Sequence, residues 1–211
     1  MSKIIAAAPQ LILASASPRR LELLTSIGIQ VVVSPADVDE TPLTGESPED
    51  YVVRLALAKA KAGAAGATKE HAGLPVLGAD TVVVLGDQLL GKPRGKADGI
   101  AMLLRLSDRS HEVLTAVAVR RHMLGGELLE AQVLSLTRVT FRTITQEEAE
   151  KYWDTREPRD KAGAYGIQGI GGIFADRIEG SFTGVMGLPI AATEMLLRHV
   201  GVQTWQHRIH R

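Results

Sequence analysis

The sequence predicts a mixed α/β protein, and three observations indicate this fold class. Strand-like and helix-like segments alternate along the chain, as they do in α/β and α+β folds. The chain has 211 residues, of which 45% are hydrophobic, and this is enough for a sizeable core. Neither an internal repeat nor a low-complexity tract interrupts the pattern. We therefore expect a single domain over residues 1–211, formed either as one body or as two lobes.

Two helix starts give the clearest local signals in the first half of the chain. Ser17 suits an N-cap and Pro18 the first helical position, directly after an apolar run. Ser47 and Pro48 repeat this arrangement and are followed by acidic residues, which favour the first turn. With the β-branched runs, these signals predict strands at 11–14, 29–33, 76–78 and 81–85, and helices at 18–28 and 48–65.

The second half of the chain contains two long extended stretches separated by a glycine pair, which predicts neighbouring strands. Thr145 suits an N-cap, and Glu148 stands at the reciprocal position of a capping box. The predicted elements are a helix at 96–107, strands at 111–121 and 127–143, a helix from Thr145 to about residue 156, a last helix from Pro189 to about Val200, and a flexible tail at 203–211.

Charge and cysteine content exclude several classes of function. Lys plus Arg and Asp plus Glu each number 24, so the formal charge is zero and generic nucleic-acid binding is disfavoured. The absence of cysteine excludes disulfides and thiolate chemistry, and it fits a reducing cytoplasm. The short apolar start is rejected as a signal peptide, because the next apolar residues form the strand before the turn at Ser17. No apolar run reaches the ~20 residues that a membrane helix needs.

The turn at residues 15–20, which reads Ser-Ala-Ser-Pro-Arg-Arg, predicts a phosphate-binding site. It offers backbone N–H groups at a helix start, two hydroxyls and two guanidinium groups in one small volume. Lys92 lies in a Gly-Lys-Pro turn, where Pro93 forces extended geometry on the lysine. A lysine fixed in this way suits a polyphosphate, although Gly-Lys-Pro is also a common surface turn.

Two acidic residues are candidates for catalysis. Asp80 lies between the apolar runs 76–78 and 81–85, so we expect its carboxylate at a strand break, where it needs a partner. It is either a metal ligand or general base, or a buried carboxylate satisfied by backbone donors or one arginine. Glu40 is a second candidate acid, although an acidic loop followed by Thr-Pro is also typical of a solvated surface.

A third region with candidate site residues, residues 157–169, is rich in glycine and small residues, which let a backbone approach a ligand closely. Gln168 carries both a donor and an acceptor, as reading a base edge requires. The alternative is a glycine-rich connection that crosses a tight part of the fold.

Five segments, in this order along the chain, resemble the Maf family of nucleoside triphosphate pyrophosphatases, which are also linked to inhibition of septum formation. The match runs from Leu11 to about Val200 and is carried by residues 13–20, 78–81, 91–93, 157–169 and 187–189. The resemblance implies a Maf/Ham1-like fold, with a central curved mixed sheet flanked by helices and two lobes around a deep cleft. It also implies cleavage between the α and β phosphates, which yields a nucleoside monophosphate and pyrophosphate.

The resemblance further implies roles for single residues. Asp80 is similar to the catalytic proton acceptor of the family, and Asp80 and Glu40 to the acids that hold a divalent cation, Mg²⁺ or Mn²⁺. The residues similar to those that bind the triphosphate are Ser17, Arg19, Lys59 and Lys92, to which Arg20 adds positive charge. Three residues, Arg19, Thr81 and Gln168, match positions tied to base choice in the branch that acts on dTTP and UTP.

Three alternatives stay open. The chain is a pyrophosphatase for 7-methyl-GTP or another modified nucleotide, a nucleotide-binding regulator of division without catalysis, or an enzyme for phosphorylated sugars or other small phosphate esters. The expected partner is a nucleoside triphosphate, with no nucleic acid and no membrane, and the resemblance allows a homodimer.

Overall fold

The computed structural model describes residues 8–123 and 125–204, and within them the chain forms one seven-stranded sheet with helices packed against it. The rejected signal peptide at the start and most of the predicted tail, from residue 205 onward, lie outside the described residues. The strands are β1 Leu11–Leu13, β2 Val31–Val33, β3 Val76–Leu85, β4 Gln88–Leu90, β5 Ser110–His122, β6 Leu128–Phe141 and β7 Ala175–Glu179.

The helices frame this sheet and connect its strands. They are α1 Pro18–Ser26, α2 Pro48–Ala65, α3 Lys96–Leu106, α4 Gln146–Asp154, α5 Phe182–Val185 and α6 Ile190–His199, with short 3₁₀ turns at Lys69–His71, Glu157–Asp160, Ala162–Ala164 and Ile170–Phe174. In the part of the chain that the structure describes, no helix is both long and apolar enough to cross a membrane.

The sheet is mixed, which confirms the predicted fold class. Its strand order is β2-β1-β3-β5-β6-β7, with β4 paired to β3. The three strands β2, β1 and β3 run parallel, while all other pairs are antiparallel. The division into two lobes stays a prediction, although large buried clusters do form around β1, α1 and α6 and, separately, around α3 and α4.

The predicted strand break at Asp80 is wrong, because β3 runs without interruption from Val76 to Leu85. Ala79 and Asp80 continue the antiparallel ladder with β5, where Asp80 lies opposite Ala116. The expectation failed because an acid in an apolar run was assumed to end the strand. A lysine from a neighbouring helix pairs with the carboxylate instead, so the backbone stays in the sheet.

Two of the three predicted N-caps are confirmed. The Ser47 hydroxyl accepts the Asp50 backbone N–H, and Thr145 and Glu148 form a complete capping box. Ser17 does occupy the N-cap position of α1, but its side chain makes no capping bond. Its backbone N–H donates to the Ser15 hydroxyl, 3.2 Å away.

Close packing of α2 against β3 brings one helix face onto an inner strand of the sheet. A Cβ at Gly78 would overlap the backbone of Ala56 and Ala60, so only glycine allows this separation. Lys59 lies on the same helix between these alanines. The close approach of α2 therefore brings the Lys59 side chain within contact distance of β3.

Candidate active site

A cleft of about 500 Å³ collects every residue that the sequence predicted for the site. They come from the turn before α1, the first turn of α1, the loop after β2, helix α2, strand β3, the turn after β4 and the glycine-rich segment that follows α4. The residues are Ser17, Arg19, Arg20, Glu40, Lys59, Asp80, Thr81, Lys92 and Gln168.

The centre of the cleft is a lysine held between two carboxylates. Nζ of Lys59 lies 2.7 Å from Oδ1 of Asp80 and 2.6 Å from Oε1 of Glu40. Lys59 and Asp80 are buried, with 9% and 8% of their surface exposed, whereas Glu40 is exposed. Glu40 is thus exposed, as the solvated-loop interpretation expects, but its carboxylate contacts the same ammonium as Asp80.

The two carboxylates have opposite pKa shifts. Burial raises the pKa of Asp80, although the charge and hydrogen bond of Lys59 and the charge of Arg20 oppose this. Burial also acts to raise the pKa of Glu40, but the hydrogen bond and charge of Lys59, with the charges of Lys92 and Arg20, outweigh it and lower the pKa. Asp80 thus has the pKa shift that suits a proton acceptor, while Glu40 stays ionised.

The guanidinium of Arg20 is committed to the protein itself. Its Nε donates to the Gly187 carbonyl at 2.9 Å, and its two terminal nitrogens donate to the hydroxyls of Ser15 at 3.1 Å and Thr81 at 3.2 Å. These bonds join the α1 turn, β3 and the loop before α6. The geometry therefore favours a role for Arg20 in holding the cleft walls together, besides the charge that the sequence attributed to it.

The Thr81 hydroxyl belongs to a chain of hydrogen bonds that crosses the sheet. It lies 2.9 Å from the Thr115 hydroxyl on β5, which donates to the Gly184 carbonyl at 2.8 Å. With Arg20 on its other side, Thr81 is fixed by partners on two elements. Its side chain is thus oriented before any ligand enters.

Arg19 bridges the cleft to the segment after α4. Its Nη1 lies 3.4 Å from Oδ2 of Asp160, whose other oxygen lies 2.7 Å from Nζ of Lys161. Lys92 is exposed on the wall of the cleft, and the carbonyl of Gly91 before it accepts the backbone N–H of Gly163 at 3.1 Å. Two of the cations that the sequence assigned to phosphate, Arg19 and Lys92, therefore lie next to the glycine-rich segment.

Gln168 is exposed at the cleft, as a residue that reads a base requires. Sequence reasoning missed several other residues that line or build this region, namely Ser15, Tyr51, Asp160, Tyr165 and Glu157. All of these residues except Tyr51 lie in the segments 15–20 and 157–169 that the sequence analysis described, but no local pattern distinguished them from their neighbours. Asp160 contacts Arg19, which is 141 positions away along the chain, whereas Ser15 accepts its hydrogen bonds from Ser17 and Arg20, two and five positions away.

The donor set fits a divalent cation that also binds substrate. Asp80 and Glu40 present two carboxylates to one point of the cleft, and Mg²⁺ typically binds one or two carboxylates together with phosphate oxygens and water. Among the residues that the structure describes there is no group of three or more His, Cys, Asp or Glu that could hold a metal on its own. A cation here would therefore depend on the phosphates of the substrate for part of its coordination.

Comparisons with known proteins match nearly the whole chain. A family model described as Maf-like protein covers residues 10–200. The chain is 51% identical over 197 residues to a dTTP/UTP pyrophosphatase of Saccharophagus degradans, covering 93% of this chain and 91% of that protein. It is 50% identical over 195 residues to the dTTP/UTP pyrophosphatase of Methylococcus capsulatus, with 92% and 93% covered.

A further relative and one solved structure are also similar to the chain. The dTTP/UTP pyrophosphatase of Pseudoalteromonas atlantica is 49% identical over 192 residues, covering 91% of this chain and 97% of that protein. A solved HAM1 protein from Coxiella burnetii is 18% identical, with a TM-score of 0.47, over 91% of this chain and 100% of that chain.

Proposed function

The chain belongs to the Maf family, and from this membership we propose that it is a nucleoside triphosphate pyrophosphatase that hydrolyses dTTP and UTP to the monophosphate and pyrophosphate. The observation that carries the proposal is the Glu40–Lys59–Asp80 arrangement in the same cleft as Arg19, Lys92 and Gln168. One cavity thus combines two acids, several cations and a side chain able to read a base.

The cations of the cleft bind and orient the triphosphate. Arg19, Lys59 and Lys92 neutralise its negative charge, and the Ser17 hydroxyl, which is not used in capping α1, donates to a phosphate oxygen. Because these groups come from different elements, together they fix the position of the triphosphate in the cleft. Such positioning is a major part of catalysis in phosphoryl transfer.

Asp80 acts as the proton acceptor for the attacking water. Lys59 engages Oδ1 of Asp80, and we assign the water to Oδ2. The raised pKa of Asp80 improves its basicity, while the Lys59 ammonium keeps the carboxylate available in its ionised form. Attack on the α-phosphorus then expels pyrophosphate, and the proton of the water moves to Asp80.

Asp80 and Glu40 are the residues that would hold Mg²⁺ or Mn²⁺. When bound, such a cation polarises the α-phosphoryl group and lowers the pKa of its bound water. The Lys59 ammonium now lies between these two carboxylates, so it would share them with the cation and balance their charge.

Gln168 reads the base, with Arg19 and Thr81 shaping the same side of the cleft. Its amide offers an acceptor to the N3–H of uracil or thymine and a donor to O4. The 5-methyl group that distinguishes thymine from uracil is on C5, and neither of these two bonds involves it. With its amide held in this orientation, Gln168 accepts dTTP and UTP alike and disfavours CTP, whose donor and acceptor are exchanged.

A nucleotide panel tests the proposal. Pyrophosphate release is measured with dTTP, UTP, CTP, purine triphosphates and 7-methyl-GTP in the presence of Mg²⁺, and again with a chelator. We expect dTTP and UTP to be hydrolysed fastest and the chelator to abolish the reaction. A preference for 7-methyl-GTP would move the chain to another substrate class, nucleotide binding without turnover would support a regulator, and turnover of sugar phosphates alone would overturn the assignment.

Three further features stay predictions. The cytoplasm is the expected compartment, because the chain has no cysteine. A homodimer is testable by light scattering of the full chain. A link to cell division is testable by comparing division in cells that express the wild type with division in cells that express the Asp80→Asn variant.

A further inference from the structure

We propose that Glu157 is a positioning residue that sets the base preference of the cleft by holding the loop at residues 166–171, on which Gln168 is carried. The inference rests on the proposed function, since it concerns how the same cleft recognises its substrate. The sequence analysis included Glu157 only as the first residue of segment 157–169 and gave it no role, and the residue does not line the cleft. Its hydrogen bonds indicate the role.

The Glu157 carboxylate accepts three hydrogen bonds from two different elements. Its Oε1 accepts the hydroxyl of Tyr152 at 2.7 Å and the backbone N–H of Gly171 at 3.0 Å. Its Oε2 accepts the backbone N–H of Ile170 at 2.9 Å. Two consecutive N–H groups of the loop thus converge on one half-buried carboxylate. Charge-assisted bonds of this kind are stronger than neutral ones.

Tyr152 fixes the other end of the same loop. Its hydroxyl oxygen accepts the backbone N–H of Gly166 at 3.0 Å while donating to Glu157. The tyrosine is only 3% exposed, and its ring packs edge-to-face on Phe174 at 5.2 Å. The loop is therefore anchored to the hydrophobic core before and after Gln168.

The backbone of the loop is wrapped closely around this carboxylate. A Cβ at Gly169 would overlap Oε2 of Glu157, and a Cβ at Gly171 would overlap the Tyr152 hydroxyl. The absence of side chains at these positions is what lets the N–H groups reach the acceptors. Burial tends to raise the pKa of Glu157, but the bonds from Gly171, Tyr152 and Ile170 and the charge of Lys161 lower it, so the carboxylate is ionised at neutral pH.

Gln168 is exposed at the cleft, and the backbone of the loop sets where its Cα lies and in which direction its side chain leaves the chain. The phosphate-binding cations Arg19, Lys59 and Lys92 lie on other elements. A change at Glu157 should therefore disturb base recognition more than phosphate binding. This separation is what makes the inference testable.

The first test compares UTP with CTP in the Glu157→Gln variant. The substituted amide keeps the shape but sets an NH₂ donor against backbone N–H donors, so the loop loses at least one of its bonds. We expect the ratio of kcat/KM for UTP over CTP to fall by about tenfold, because small displacements of a recognition group weaken selection strongly. Glu150→Gln, on the exposed face of α4, is the matched control and should leave the ratio unchanged.

The second test measures binding by calorimetry, with the α,β-methylene analogue of UTP and with inorganic tripolyphosphate. Glu157→Gln should weaken the nucleotide analogue by about tenfold and leave tripolyphosphate within about twofold of the wild type. Tyr152→Phe should reproduce the effect in weaker form, because it removes the hydroxyl that joins Glu157 to Gly166. In a Gln168→Ala background, Glu157→Gln should cause no further loss of UTP over CTP selection.

The two proposals fail in distinguishable ways. If the wild type releases no pyrophosphate or does not prefer UTP to CTP, the proposed function is wrong. If the wild type does prefer UTP while folded Glu157→Gln and Tyr152→Phe both keep the full preference, the role of Glu157 is overturned. An equal loss of tripolyphosphate and nucleotide binding would also overturn it, since that result indicates a general structural role.

Discussion

Nζ of Lys59 lies 2.7 Å from Oδ1 of Asp80, and both side chains are buried where α2 packs on β3. Removing one partner of such a pair leaves an uncompensated charge, which is costly in a buried environment. The pair therefore places an ionised carboxylate in a part of the fold from which an isolated one would be excluded. Glycine at position 78 makes it possible, because it lets α2 approach the strand.

Asp80→Asn should lower turnover of UTP by about 10² to 10⁴, the usual contribution of a general base. The amide keeps the size of the side chain but does not accept the proton of the attacking water. Nucleotide affinity should be largely kept, because the cations that bind phosphate are unchanged. Steady-state kinetics with calorimetry checks this, and unimpaired turnover would remove Asp80 from the proposed role.

Lys59→Met should move the acid limb of the kcat/KM profile to higher pH. Activity falls as Asp80 becomes protonated, and the charge and hydrogen bond of Lys59 hold the pKa of Asp80 below the value that burial alone would give. Without the ammonium, protonation begins at a higher pH. Lys61→Met, on the exposed face of the same helix, is the control. An acid limb at the same or a lower pH in Lys59→Met would contradict the coupling.

Arg20→Lys should destabilise the fold more than Arg19→Lys. The planar guanidinium of Arg20 donates to Gly187, Ser15 and Thr81, and the ammonium of a lysine does not reproduce that geometry. We expect a loss of about 2 kcal/mol in the free energy of unfolding, against about 0.5 kcal/mol or less for Arg19→Lys. Urea unfolding measures both. Equal losses would show that Arg20 has no special structural role.

Stability should fall between pH 6.5 and 4 because of His111. Burial lowers the pKa of this histidine from 6.5 to about 4, and its Nε2 lies 2.8 Å from the Tyr165 hydroxyl. Below pH 6.5 the unfolded chain binds a proton that the folded chain excludes until about pH 4. The contribution is thus fully present above pH 6.5 and declines as the pH falls, by about 2 kcal/mol at pH 5.

In the His111→Gln variant, the free energy of unfolding should lack this loss between pH 7 and pH 5, as urea unfolding at the two pH values measures. Tyr165→Phe is the matched control, because it removes the hydrogen bond and leaves the titrating group in place. Asp80, whose pKa is raised, contributes in the opposite direction but equally in both proteins. An unchanged pH dependence in His111→Gln would show that another group is responsible.

Much of the fold follows from local signals in the sequence. The capping box at Thr145 and Glu148 and the Ser47 cap fixed two helix starts, and the β-branched stretches predicted β5 and β6. The short elements β4, β7 and α5 were not predicted, because each has at most five residues and depends on neighbours distant in sequence. The helix α1 ends at Ser26 rather than Gly28, whose φ of +85° does not continue a helix.

The candidate site was predictable as a set of residues but not as a network. The order of the motifs along the chain predicted which residues line the cleft, but it did not predict which of their atoms contact each other. The sharing of Lys59 by Asp80 and Glu40 depends on the distance between α2 and β3. Segment 157–169 was singled out, but the role of Glu157 within it was not predicted, since two of its three partners are backbone N–H groups that any residue could supply.

Hydrolysis of UTP in ¹⁸O-labelled water, with mass spectrometry of both products, tests the central claim most directly. The proposed attack at the α-phosphorus predicts UMP carrying one ¹⁸O atom and unlabelled pyrophosphate. Labelled pyrophosphate beside unlabelled UMP would place the attack on the β-phosphorus, and formation of UDP with labelled phosphate would show cleavage of the terminal bond. Either result would contradict the reaction assigned to Asp80.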